Sequence, residues 1–510
     1  MANIDNKKIA KNTLYMYLRM LVTMVVSLFT TRIVYQALGI DNFGIYNVVG
    51  SIIVFFTFIN AGLTTATRRY ITAELAQGNV VSQRNIFNLA VWAHILISAI
   101  ILFLGETVGL WIVNSLLNIP DERMFAANVV YQLSVFAAIL SVMQAPFTAA
   151  ITANERMNIY AYLSILDVFL KLALAYVVMV ATGDKLIVYA ISVFVVGIIG
   201  IFVNRAYCYK AFPMCRYKRP HNKALLKEIF GYMGWQLTGQ GMVVLANQGV
   251  TVLVNMFFTV AANAAMGVSN QITHIVSNFV TNFQVAFNPQ ITKLYVSKNH
   301  GDLTLLANRC SRISSYLVLL FLIPICFQTH NFLTLWLGEY PQYTIEFCIY
   351  TLIAIYIDAI SAPLWMILAS DTNIRKYQII LTSIYSLNFI GAYIVLELGF
   401  EPYSVIIVRV IVMMIAVMAR LLLVKEKINS FSVIEWVKSI LLNSGKVLVI
   451  PAICIVVMMR ISIPNMIVEL ILYSGLSFLS VCLSIYLLGI TQSEREMINN
   501  KVKSVLNIKK

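Results

Sequence analysis

The sequence predicts an all-α polytopic membrane protein of about fourteen transmembrane helices. These form two pseudo-symmetric six-helix lobes, with two further helices at the C-terminal end. Three observations predict this. Of 510 residues, 60% are hydrophobic and only 12% charged, against about 25% charged in soluble domains. Apolar runs near 20 residues, the length that crosses a bilayer core, recur along the whole chain. Basic residues crowd into alternate links between those runs, as the positive-inside rule requires.

The runs lie near residues 12–36, 44–67, 86–113, 125–147, 159–181, 186–207, 228–257, 261–289, 313–336, 343–369, 376–396, 403–424, 443–460 and 466–489. The start, Met1 to Lys11, is polar and basic, and the first apolar run is longer than a signal peptide's. It reads as a cytoplasmic tail entering a true span. With both termini inside, thirty of the 37 Lys and Arg residues fall in cytoplasmic segments, Arg420 counted among them. The outer loops hold Arg123, Lys185 and Arg460, and Arg19, Arg32, Lys171 and Arg409 lie within spans. The net charge of +15 therefore reflects membrane topology and excludes nucleic acid as a partner.

The lobes follow from a weak internal repeat. The longest cytoplasmic link, about Cys208 to Lys227, is basic and broken by Pro213 and Pro220. Across it, Asn42–Arg84 can be laid on Asn263–Ala307 with an offset of about 221 that drifts to 223. Each copy enters a span rich in Asn and Thr, then a basic segment with Gly78 or Gly301, then Asn85 or Asn308. The expected organisation is an N-terminal lobe at 1–215, a C-terminal lobe at 216–430, and two extra helices with a basic tail at 431–510. Repeated six-helix halves are a transporter signature, with the substrate site between the halves.

Within the eighth span, Asn270, His274, Asn278 and Asn282 recur every fourth residue, and Gln271, Gln284 and Asn288 lie close by. On a helix, positions four apart share a face. In hydrocarbon that face cannot meet lipid, so it meets other helices or water. Two readings stay open: interhelical glue, or the wall of a wet cavity for a polar cargo. The seventh span is similarly unusual. Gly231, Gly234, Gly239, Gly241 and Gly249 alternate with Gln236, Gln240, Asn247, Gln248 and Asn255, which suits either a bendable gate or close packing.

Charges at bilayer depth usually face the bundle interior. Arg19 and Arg32 share the first span, roughly 20 Å apart along the axis and on different faces. Arg19 is the better cavity candidate, and Arg32 can also snorkel outward. Asp167 and Lys171, four apart in the fifth span, form either a self-contained ion pair or a switchable one. Asp358 in the tenth span has Arg409 in the twelfth as an expected partner, or binds a coupling cation. His274 gains interest from the polar row, and His94 reads as an ordinary hydrogen-bonding histidine. The seven scattered cysteines have no CxxC or ligand spacing and read as apolar fillers, with no metal site. There is no phosphate-binding loop, HExxH or GxSxG motif. The expectation is a non-enzyme with no catalytic residues.

The first third resembles a known family. Asn12–Gly39 reads NTLYMYLRMLVTMVVSLFTTRIVYQALG, Asp41–Gly50 reads DNFGIYNVVG, and Asn60–Glu74 reads NAGLTTATRRYITAE. This resembles the polysaccharide-biosynthesis branch, the O-antigen and capsule flippases, of the multidrug/oligosaccharidyl-lipid/polysaccharide (MOP) exporter superfamily. As a sequence signal the resemblance is specific through about Gln83. It implies the two-lobed fold of multidrug exporters. It also implies an undecaprenyl-diphosphate-linked oligosaccharide cargo, of O-antigen, capsule or exopolysaccharide type, moved between leaflets of a bacterial inner membrane. Membrane lipids and polysaccharide polymerase machinery are the implied partners. No cofactor is implied beyond a coupling Na+ or H+. By the same resemblance, Arg19 takes the place of the cavity cation, and Arg68 and Arg69 that of the basic pair at the inner mouth. The cavity expected from residues and resemblance together is Arg19, Arg32, Arg68, Arg69, Gln240, Asn247, Asn270, His274, Asn278 and Asn282. Asp167, Lys171, Asp358 and Arg409 are the ion-coupling candidates. The alternatives are a cation-coupled multidrug exporter, a peptidoglycan-precursor flippase, and a membrane polymerase or glycosyltransferase. The last would want a longer outer loop.

Overall fold

The structure is a computed structural model that describes residues 6–77, 80–154, 156–217, 244, 248–371, 375–461, 463–492, 494–496 and 499–500. Among these residues there is no strand. The main helices are α1 (Asn6–Gln77), α2 (Val80–Leu104), α3 (Leu110–Ser115), α4 (Asp121–Ala153), α5 (Met157–Val180) and α6 (Lys185–Ala211). Then follow α7 (Gln248–Phe257), α8 (Val260–Val296), α9 (His300–Leu337), α10 (Thr344–Ala369), α11 (Arg375–Glu397), α12 (Ser404–Lys427), α13 (Val433–Met458) and α14 (Met466–Ser484).

Every expected span is helical among the described residues, the seventh only in its last part, α7. Eleven of the described helices are long and apolar enough to cross a membrane. At 37 residues α8 is long enough too, about 55 Å at 1.5 Å per residue. Its amide row lowers its hydropathy below that of the others. Gln240 and Asn247, and the glycines Gly231, Gly234, Gly239 and Gly241, lie outside the described residues.

The first two spans run on as one element, broken at Gly39, which has φ 77° and ψ 173°. Only glycine adopts that backbone conformation without strain. Five residues later a Cβ on Gly44 would collide with the Val260 carbonyl oxygen at the start of α8. The glycine of the DNFGIY stretch is thus a close-packing residue. The third span is interrupted by a π-turn at Gly105–Gly109, and the buried Tyr131 hydroxyl donates to the Gly105 carbonyl oxygen at 2.7 Å. The turn therefore leaves that carbonyl satisfied.

By contacts the chain forms two compact units. One is Met1–Gly267 with Phe389–Pro402, the other Val268–Asn388 with Tyr403–Lys510. In the first, α1 packs on α5, α4 and α2, and α4 packs on α6 and α2. In the second, α9 packs on α10, α13 and α14, and α10 packs on α12. The pairs α2–α4 and α4–α6 of the first unit recur as α9–α10 and α10–α12 in the second, six spans on, which is the pseudo-symmetry of the fold class. Aromatic side chains knit one end of the first unit. Phe87 and Phe147 meet edge to face at 5.4 Å, within an apolar cluster that also buries Ile71, Cys208 and Met214. In the second unit Trp436 and Ile440 of α13 join Leu364, Leu368 and Leu421 in one core.

Polar contacts hold the ends. Asp184 caps α6 by accepting from the Leu186 and Ile187 amides. It also takes a two-pronged bond from Arg123 at 2.8 and 3.0 Å. Hydrogen bonding from Arg123 holds its carboxyl below the usual value. Ser432 caps α13 by accepting from the Glu435 amide. Glu494 joins Arg309 and Arg312 of α9, each at 2.7 Å. Burial opposes its ionisation, but the Thr491 backbone amide and the two arginines hold its carboxyl below the usual range.

Asp184 supports a stability prediction. Asp184→Ala should destabilise the first unit by about 1–2 kcal/mol, because it removes both a cap and a paired charge. Asp184→Asn keeps the cap and should lose less. Since the folded carboxyl titrates below the ordinary value of 3.8, its contribution is complete above that value and fades as pH falls further. Thermal unfolding in detergent across pH 3 to 7 checks it: equal midpoints for both variants and wild type throughout would refute the assignment.

Candidate functional site

The first unit forms a partly open cavity of about 620 Å³. Four helices build it, each through residues three and four apart. From α1 come Arg19, Thr23 and Thr64; from α4, Ser141, Gln144 and Thr148; from α5, Tyr160, Ser164, Asp167 and Lys171; from α6, Val193, Gly197, Gly200 and Asn204. The stripe on α4 is an i, i+3, i+7 pattern and that on α5 an i, i+4, i+7, i+11 pattern, so each wall is one helix face. Gly197 and Gly200 keep the α6 wall flat, and a Cβ on Gly200 would sit 3.5 Å from the Gln144 Oε1.

Arg19 is half-buried, and its guanidinium lies over the Tyr160 ring, 4.9 Å from the centroid. That cation–π contact contributes roughly 0.5–2 kcal/mol and leaves the donor edges of the fork free for a ligand. The buried Nε of Arg19 has no hydrogen-bond partner. Lys171 Nζ lies 2.8 Å from Asp167 Oδ2, with both side chains more than two-fifths exposed in the cavity wall. The pair is neutral together, so Arg19 gives the wall a net charge of +1. Around it are amides and hydroxyls.

The polar row of α8 lies in the second unit. Ile272, Val276 and Val280 are buried, whereas Asn270 is half-buried and His274, Asn278 and Asn282 are exposed. Asn282 Nδ2 donates to the Asn278 carbonyl at 2.6 Å. On another side of α8, Ser269 meets Thr351 and Thr292 meets Ser370. Helix-to-helix bonding there falls to hydroxyls, and neighbouring side chains do not bury the amide row. Asn255 and Asn263 in the first unit behave differently. Both are fully buried, Asn255 donates to Asn263, Asn263 donates to the Thr251 carbonyl, and the Asn118 amide donates to Asn255. Those amides are glue.

Among the sequence candidates, the structure brings Arg19, Asp167 and Lys171 into one cavity. Arg32 is half-buried elsewhere on α1 and does not line it. Arg68 is exposed one turn beyond the lining Thr64, and the Arg69 side chain lies outside the described residues. His94 is fully buried, with Nδ1 donating to the Ala90 carbonyl at 2.7 Å. Asp358 is exposed on α10 and takes part in none of the ion pairs among the described residues. Its expected partner Arg409 is half-buried on α12.

Sequence reasoning missed two features. Arg420, assigned to a cytoplasmic link, is instead buried in α12, 6% exposed. It donates to the Ser361 hydroxyl and, at 2.8 Å, to the Tyr385 hydroxyl. Arg409 and Arg420 are eleven residues apart, three helical turns, and that spacing was the available signal. The polar lining of α6 was missed because Asn204 stands alone among apolar residues and glycines, whereas the Ser141, Gln144 and Thr148 row on α4 had helical spacing and was not read.

No protein-family model matches the chain, and no curated protein matches it in sequence. Its fold is nevertheless shared with solved transporters of the MOP superfamily. The lipid II flippase MurJ in an inward closed conformation aligns with a TM-score of 0.69 at 14% identity, over 94% of this chain and 99% of that one. An inward-facing multidrug resistance MATE transporter of the MOP superfamily aligns at 0.67 and 13% identity, over 82% and 98%. A Pyrococcus furiosus MOP superfamily transporter, described by the reverse polarity of its binding pocket, aligns at 0.56 and 15% identity, over 82% and 96%. At these identities the likeness is one of fold.

The flat α6 wall gives a test of the cavity itself. Gly200→Ala places its methyl in ordinary contact and should leave ligand binding within twofold. Gly200→Leu fills the space beside Gln144 and should weaken binding at least tenfold while the protein stays monodisperse. Equal binding of a prenyl diphosphate by both variants would show that the cavity is not the binding site.

Proposed function

We propose that this chain is a flippase of the MOP fold. It moves an undecaprenyl-diphosphate-linked oligosaccharide, an O-antigen, capsule or exopolysaccharide unit, from the cytoplasmic to the periplasmic leaflet by alternating access. The observation that carries the reading is Arg19: a guanidinium held by its face on an aromatic ring in a cavity walled by amides and hydroxyls. Each part suits one part of such a cargo. A planar guanidinium recognises phosphate oxygens in pairs. Amides and hydroxyls exchange hydrogen bonds with sugar hydroxyls, and a polyprenyl tail needs only lipid. The exposed amides and imidazole of α8 are a polar surface of the second unit in their own right, since in a bilayer such a row must meet water or cargo.

The lobes at 1–215 and 216–430, the appended helices at 431–510, the cytoplasmic termini and the bacterial inner membrane belong to the same reading. So do a Na+ or H+ gradient as driving force, with Asp167, Lys171, Asp358 and Arg409 as the candidate coupling groups, and contact with polysaccharide polymerase machinery. Short outer loops favour a carrier over a polymerase or glycosyltransferase. A peptidoglycan-precursor flippase is the second reading, favoured by the near-complete coverage of the MurJ fold. A multidrug exporter for organic cations is disfavoured by the positive balance of the cavity.

Reconstitution tests this. Proteoliposomes loaded with lipid-linked oligosaccharide should expose the glycan on the opposite leaflet faster with an ion gradient than without. Arg19→Ala should cut that flux about tenfold or more at equal incorporation. Full flux in that variant would remove Arg19 from the site, and transport of organic cations without glycan exposure would replace the reading with the exporter.

A further inference from the structure

Resting on the reading above, we propose that Lys171 is a second cationic station for the cargo's diphosphate, and that Asp167 is the latch that holds it until the anion arrives. The geometry has three parts. First, Tyr160, Ser164, Asp167 and Lys171 occupy one face of α5 and all line the cavity. Arg19 is fixed over Tyr160, so the Asp167–Lys171 pair lies further along the same wall, roughly 10–16 Å in axial rise from the Arg19 station. Second, the pair is made at 2.8 Å but is open to the cavity, with 44% and 41% of the Lys171 and Asp167 side chains exposed. A pair serving only to neutralise charge at bilayer depth would be expected to bury both ends. Third, Arg19 alone contributes a single positive charge against a group that carries more than one negative charge near neutral pH.

Lysine has the chemistry for such a station. Its ammonium has three donors on a flexible four-carbon stem, so it can turn from Asp167 towards a phosphate oxygen without moving the backbone. Asp167 keeps the ammonium in place while the cavity is empty, and competes with cargo for it afterwards. That competition sets the sign of each mutation. Removing the latch frees a cation and should tighten anion binding. Removing the lysine should loosen it, and removing both should resemble removing the lysine. A pair that is merely structural predicts no such opposition.

The test uses the full chain in detergent or nanodiscs, with geranyl diphosphate as the probe and titration calorimetry as the readout. Asp167→Asn should bind about tenfold tighter than wild type. Lys171→Gln should bind about tenfold weaker, and the double variant should match Lys171→Gln. Lys171→Arg keeps the charge and the latch and should bind within threefold of wild type. If Asp167→Asn does not fold, the comparison of Lys171→Arg with Lys171→Gln decides: equal affinities overturn the proposal. Arg19→Gln separates the two levels of the argument. If wild type binds, Arg19→Gln does not, and every variant at 167 and 171 binds like wild type, the station falls and the flippase reading stands. If wild type itself binds no diphosphate, both fall.

Discussion

A polar group placed at the depth of a bilayer must find a partner or water, because hydrocarbon offers neither donors nor acceptors. Each failure costs several kcal/mol. Most polar residues within the spans meet this locally. Thr30, Thr152, Ser164 and Asn204 each bond to a carbonyl one turn back in their own helix. Asn255 and Asn263 meet it by bonding to each other and to Asn118. Arg19 differs from these: its contact is with the face of the Tyr160 ring, and it lines a cavity.

The two units treat arginine differently. In the first, Arg19 rests on a ring face, which stabilises its charge without consuming its donors. In the second, Arg420 is deeply buried and spends its donors on Ser361 and Tyr385. Ser361 is itself fixed by donating to the Asp358 carbonyl. A guanidinium with satisfied ends is a brace. One held by its π-face keeps its donor edges available to a ligand. The contrast explains why count and depth of intramembrane arginines say little about their roles, while the identity of what they touch says much.

Much of the fold was legible because membrane spans carry a one-dimensional signal. Apolar length located the described spans, but α9 and α13 begin thirteen and ten residues before the apolar runs that marked them, because polar and basic residues continue those helices beyond the apolar stretch. The break at Gly39 falls between the first two apolar runs, whereas the close approach at Gly44 to Val260 was not read from the sequence. Two things were not legible. A continuous helix with one glycine hinge looks the same in hydropathy as two separate helices, so the union of the first two spans went unseen. The cavity was harder still. Its walls combine a short row on α4, Ser141, Gln144 and Thr148, with the lone Asn204 of α6, and neither points to a cavity until tertiary packing aligns them with Arg19. The row on α8 was easy to find because it lies on one helix. Whether it was glue or wall depended on neighbours that no periodicity encodes.

Asp167 and Lys171 show how far spacing alone can carry a reading. Their separation of four residues fixes that they meet, and they do, at 2.8 Å. It does not fix what else they meet. An intrahelical pair facing lipid would serve only to cancel two charges, and one facing a packed helix would be a brace like Arg420. Because α5 turns the stripe that carries Tyr160 towards the cavity, the pair shares its surroundings with Arg19. This placement is what lets the same two side chains be proposed as a reserve of positive charge and not only as charge cancellation. The helix sets the pairing, and packing sets its use.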